Sequence, residues 1–155
     1  MTPGRPDPAV VRRHLLAIDD ALQTLRRHQG RSLAQLRSDR DHLWAVERGL
    51  QLCAQNALDI ATHLAAGSGH DVADYATAID RLAILGILPP EFAARFRSIA
   101  GFRNVLVHGY LDLDLTVVHQ LLQAGLDDFV AFARHINHHL ESLAAPRANP
   151  GDSHQ

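Results

Sequence analysis

Gly101-Phe102-Arg103-Asn104-Val105-Leu106-Val107-His108-Gly109-Tyr110 is an apolar run interrupted by an arginine, a histidine and a tyrosine. Phe92, Phe96, Ile99, Leu106 and Tyr110 recur at four-three spacing, which predicts one buried helical face, and Arg103 falls on that same stripe. A guanidinium buried without a partner costs on the order of several kcal/mol, so Arg103 calls for a carboxylate or an anionic ligand. Residues five apart on a straight helix diverge by roughly 140°, so Arg103 and His108 cannot aim at one atom from one straight helix. Either the helix ends near His108, with Gly109 as its stop, or a symmetry-related copy completes the site. Asn104 and His108 are four apart and share a face, which allows Asn104 to orient the imidazole.

The same periodicity extends outward in both directions. Pro89-Pro90 predicts the start of the helix that carries the motif. Before it, Tyr75, Ile79 and Leu82 give an inward face to a helix from about Asp74 to Leu85, stopped by Gly86. Gly67-Ser68-Gly69-His70 reads as a flexible loop. It closes a long helix whose seam, Leu43, Val46, Leu50, Cys53, Ala57, Ile60 and Leu64, repeats every three and four residues. Ser32 predicts the cap of a short segment through Leu36. Asp7-Pro8 predicts the start of a first helix with Val11, Leu15, Ile18, Leu22 and Leu25 inward and Gly30 at its end. After the motif, a last helix starts near Asp114 or Thr116 and runs to about Leu143, with Leu122, Leu126, Phe129, Ala133, Ile136 and Leu140 as its stripe. No segment alternates with period two, so the expectation is an all-α antiparallel bundle of about five to six helices over residues 8–144. Disordered ends are expected at 1–7 and at 145–155, the latter rich in Pro, Asn, Gly and Ser.

A length of 155 residues suits one domain, and 46% hydrophobic with 5% aromatic content suits a core of Leu, Ala, Val and Ile. The formal charge of −2 argues against a surface coated in positive charge for duplex DNA. Every basic residue is arginine, leaving rigid phosphate-binding forks where they cluster, as in Arg12-Arg13, Arg26-Arg27, Arg31, Arg37 and Arg40. The single cysteine, Cys53, excludes a disulfide framework and a cysteine metal site. With no apolar stretch of membrane-spanning length and no secretory signal, a cytoplasmic protein without a membrane partner is expected.

An arginine and a histidine without a metal cluster or a glycine-rich phosphate loop suit metal-free work on a phosphodiester. The imidazole moves protons to or from a ribose 2′-hydroxyl or the leaving oxygen, and the guanidinium holds the phosphate. Such chemistry cleaves RNA and spares DNA, which lacks the internal nucleophile.

Arg103 to Tyr110 resembles the Arg, four residues, His, one residue, Tyr motif of the HEPN toxins of the HepT-like group. Leu85-Gly86-Ile87-Leu88-Pro89, Ile99-Ala100-Gly101-Phe102 and Leu58-Asp59-Ile60-Ala61-Thr62-His63-Leu64 are similar to that group too, and the likeness spans roughly Arg40 to Ile136. The resemblance implies a homodimeric all-α bundle with the two motifs facing across a cleft, possible assembly into a larger toxin–antitoxin complex, and metal-independent endoribonuclease activity as the toxin. It also implies a minimal nucleotidyltransferase antitoxin that can transfer AMP to the motif tyrosine. Carried over, Arg103 and His108 are catalytic and Tyr110 the modification site, with no cofactor and no metal; Asn104, by its spacing, and Asp59, as a carboxylate in an apolar segment, are read as supporting residues.

Plainer readings stand beside these. Arg103 is also readable as a buried arginine paired with Asp59, His108 as a helix C-terminal cap, and Tyr110 as an ordinary aromatic. His135, His138 and His139 have metal-ligand spacing but read as a solvated surface, and Asp112 and Asp114 read as turn and capping residues. The arginine pairs read as a solvated face before they read as an RNA track. The alternative in function is a non-catalytic helical module that docks a nucleotidyltransferase and a nucleotide.

Overall fold

The computed structural model describes residues 4–69, 72–109 and 113–145. All regular structure among them is helical. The elements are α1 (Pro8–His28), α2 (Leu33–Ser38), α3 (Arg40–Gly67), α4 (Tyr75–Ile84), α5 (Pro90–Phe96), α6 (Ile99–His108), α7 (Leu115–Gln120) and α8 (Leu126–Ala144). One π-helical turn, Leu121–Gly125, joins α7 to α8, so these form a single rod.

Local chemistry sets most of the boundaries. The Asp7 carboxylate accepts from Ala9 N and Pro8 opens α1. Ser32 and Gln35 close a reciprocal capping box on α2. Asp39, Asp74 and Asp114 cap α3, α4 and α7. Gly86 ends α4 at φ +74°, with Ile87 N donating to Leu82 O and Gly86 N to Ala83 O, a Schellman stop that a side chain at this φ would strain.

α3 is the axis of the bundle. Of the predicted seam, Val46, Leu50, Cys53, Ala57, Ile60 and Leu64 are buried and Leu43 is half-buried, and α1, α4, α6 and α8 pack around this helix. α1 lies so close that a Cβ on Gly49 would sit 2.6 Å from Leu25 Cδ2. Phe96 stacks on Phe92 and Phe132, with centroids 5.2 and 5.0 Å away, and meets Phe129 edge-on at 5.8 Å, tying α5 to α8.

The sequence predicts one helix from Pro89-Pro90 through the motif; the chain instead breaks at Arg97-Ser98 between α5 and α6. Arg97 is drawn aside to a bidentate pair with Asp80 of α4, and Ser98 Oγ bonds back to Arg95 O. The turn resets the helical phase, so the single buried stripe does not persist. Phe92, Phe96 and Ile99 are buried, whereas Leu106 and Arg103 are only half-buried. α6 itself buries Ile99 and Ala100 alone.

Candidate functional site

α6 lies against α3 and α4, and its two faces carry different chemistry. Gly101, Asn104, Val105 and His108 share the exposed face at three-four spacing, Val105 being 46% exposed. Arg103 turns inward instead. Its Nε donates to Gln55 Oε1 of α3 at 2.7 Å, its Nη1 donates to Asn104 Oδ1 at 3.0 Å, and its guanidinium carbon lies 5.5 Å from the centre of the Tyr75 ring of α4. Gln55 is fixed in turn, because its Nε2 donates to Asp59 Oδ1 at 2.8 Å and to Tyr75 Oη at 3.3 Å. The amide therefore has its oxygen toward the arginine and its N–H groups toward the carboxylate and the phenol.

This arrangement alters two expectations. Asp59 does not pair with Arg103; it stands one residue behind, orienting the glutamine that touches the guanidinium. Asn104 Oδ1 is engaged by Arg103 rather than by His108, because the arginine next in sequence folds back over it. Gln55 is the residue that sequence reasoning missed. Gln55, Asp59 and Thr62 form a polar i, i+4, i+7 stripe beside the apolar seam of α3, and that spacing was the available signal.

Among the described residues no carboxylate lies in ion-pair range of Arg103, whereas Arg26, Arg31, Arg95 and Arg97 are paired with Asp127, Asp39, Asp128 and Asp80. Two members of the basic run, Arg26 and Arg31, are thus already partnered at the surface, in keeping with its reading as a solvated face. Arg103, held by neutral amides, keeps its charge and free N–H donors available to an anion. His108 is the last residue of α6, exposed, with Gly109 N bonded to Val105 O at 2.8 Å. The helix does end at the histidine, yet His108 remains within it, so the angular divergence from Arg103 stands within one chain. Tyr110 and Asp112 lie outside the described residues.

Beside Arg103 opens a groove of about 540 Å³ whose lining includes Thr62, Asp74, Tyr75, Ala100, Gly101 and Asn104. The histidines of α8 do not converge. His135 packs on Phe92 with centroids 5.3 Å apart, His138 is exposed, and burial lowers the pKa of half-buried His139. No helix among the described residues is long and apolar enough to cross a membrane.

The site thus consists of an all-α bundle built on one long axial helix, with Arg-x4-His at the end of a short half-covered helix. The family model described as ribonuclease HepT-like matches residues 18–136, and the chain belongs to that family. It is 31% identical to the tRNA nuclease HepT of Aphanizomenon flos-aquae over 139 residues, which is 88% of this chain and 94% of that protein. It is 27% identical to the mRNA nuclease HepT of Shewanella oneidensis over 89 residues, 57% of this chain and 67% of the other. In fold it is similar to the tri-AMPylated Shewanella oneidensis HEPN toxin solved in complex with its MNT antitoxin. That match has a TM-score of 0.75 and 22% identity, and covers 83% of this chain and 97% of the toxin.

Proposed function

We propose that this chain is a metal-independent endoribonuclease that acts as the toxin of a toxin–antitoxin pair. The observation that carries the reading is Arg103. It is half-buried and aimed by Gln55 and Asn104, with no carboxylate to neutralise it among the described residues, on a helix that ends in exposed His108. A scissile phosphate supplies the missing negative charge, and bidentate binding by the guanidinium stabilises the charge that builds on its oxygens during attack. His108 takes the proton of the attacking 2′-hydroxyl, or returns one to the leaving 5′-oxygen. The reaction yields a 2′,3′-cyclic phosphate and a 5′-hydroxyl without a metal. Asp59 acts through Gln55.

A homodimer supplies the second half of the site. Support comes from α6, where Val105 is 46% exposed and Phe102 and Leu106, which pack on the core, remain only half-buried beside it, leaving apolar area for a second copy. Across such a contact the His108 of one copy reaches the phosphate held by the Arg103 of the other, which removes the angular conflict. The fold shared with an AMPylated toxin bound to its antitoxin supports neutralisation by a minimal nucleotidyltransferase, with Tyr110 as acceptor. An AMP group two residues from His108 would bring bulk and negative charge to a phosphate-binding site. The relatives' names, a tRNA nuclease and an mRNA nuclease, support RNA as the substrate class.

The test is product chemistry in EDTA on an RNA with one mapped cut. Cyclic-phosphate ends, and loss of cutting when the nucleotide 5′ to the cut is 2′-deoxy, are expected. Cutting of the deoxy substrate would refute the mechanism.

A further inference from the structure

The groove beside Arg103 has a shape and lining that phosphate binding does not use. Tyr75 belongs to both features, lining the groove and carrying the Arg103 guanidinium against its ring. Asn104 is shared in the same way: its Oδ1 is held by Arg103, while its amide N–H groups remain for a ligand at the groove rim. Through Tyr75 and Asn104, a phosphate site at Arg103 is the neighbour of this groove. At about 540 Å³ the space falls in the range that holds small organic ligands.

Two further details say which part of a nucleotide enters. Asp74, the cap of α4, stands in the lining with its Oδ1 already accepting from Thr77 N at 2.7 Å, and its negative charge repels a phosphate there. Gly101 sits in ordinary helical backbone in the first turn of α6, and a Cβ built on it meets nothing within 4 Å. Neither backbone conformation nor packing within the chain requires glycine there. Its missing side chain keeps the groove open.

We infer that this groove is a nucleobase subsite: an unpaired base flanking the phosphate held by Arg103 lies against Tyr75 and over Gly101, with Asn104 and Asp74 at its edge. The inference rests on the ribonuclease reading and deepens it. Unstacked bases of single-stranded RNA are commonly received on aromatic side chains, and one such contact changes affinity about tenfold or more.

The variant is Gly101→Leu, which puts a side chain into the groove and leaves Gln55, Tyr75 and Arg103 unsubstituted. Leucine in helical backbone leaves the melting temperature at or a few degrees above wild type. The substrate is an RNA with one mapped cut, with the two flanking nucleotides replaced one at a time by an abasic ribose. For wild type, removing one of the two bases lowers kcat/KM about tenfold; in Gly101→Leu that ratio collapses to about one. The same ratio in both proteins, or indifference of wild type to either base, overturns the subsite. So does a change in the dimer content of Gly101→Leu, which would assign the groove to contact between copies. If wild type cuts nothing, the nuclease reading fails separately. Binding of the corresponding 2′-O-methyl RNAs then decides the subsite by the same comparison: a tenfold base dependence lost in the variant supports it, and its absence or retention overturns it.

Discussion

Replacing Gln55 with methionine keeps the length and volume of the side chain and removes the polar group that aims Arg103. The lost contacts are the 2.7 Å bond to Arg103 Nε, the 2.8 Å bond to Asp59 and the 3.3 Å bond to Tyr75 Oη. Hydrogen bonds to charged groups contribute about 1.5–3 kcal/mol, and the half-buried setting favours the low end. Only the bond to Arg103 bears on the phosphate, so the expected loss is about 1.5–2 kcal/mol of transition-state stabilisation, or about 10- to 30-fold in kcat/KM. The assay is a fluorogenic RNA in EDTA, with thermal melting and sedimentation to match folding and dimer content. Because Gln55 acts through Arg103, the double variant Gln55→Met/Arg103→Ala should be no slower than Arg103→Ala alone. Activity of Gln55→Met within twofold of wild type, or losses that multiply in the double variant, would refute the positioning role.

Other parts of the chain give separate tests. His28 Nδ1 and His42 Nδ1 are 2.7 Å apart with stacked rings, His42 is buried, and its Nε2 has no partner among the described residues. Burial lowers both pKa values, with Arg31 and Arg27 adding to the effect on His28, and His28 and Arg31 to that on His42; Asp39 opposes both. The unfolded chain thus takes up protons more readily than the folded one, so stability is full above the ordinary value of 6.5 and falls as pH drops below it. Melting temperatures between pH 7.5 and 5 should decline, and His42→Leu should flatten the decline. Phe96→Ala should cost about 3–5 kcal/mol in denaturant unfolding, because it empties the stack that ties α5 to α8. Gly86→Ala should cost about 1–2 kcal/mol, from the positive φ it must keep. Cys53 is buried and its thiol is pushed up to about 12, so a thiol reagent should label it only after unfolding.

Much of the fold was legible because helix ends are written locally. Asp7-Pro8, Ser32 with Gln35, Gly86 and Asp114 each act within a few residues of themselves, and the seam of α3 repeats without interruption. The break at Arg97-Ser98 was not legible, since both residues tolerate helix and the turn is fixed by Asp80, 17 positions away. The π-helical turn is equally hidden: Gln29 from the end of α1 donates to Leu122 O within it. At the site, the odd placement of Arg103 and its distance in phase from His108 could be read from spacing. Its partner could not, because Asp59 carries the charge that draws attention while neutral Gln55, 48 positions from Arg103, makes the contact. The His28–His42 pair joins two helices whose periodicity gives no hint of it.

The central claim is that Arg103 and His108 together perform metal-free cleavage. Purified wild type, Arg103→Ala and His108→Ala, matched for folding and dimer content, should be compared on one RNA pool in EDTA. Cutting by wild type that survives the chelator and falls by orders of magnitude in both variants is the predicted result; equal cutting by all three would contradict it.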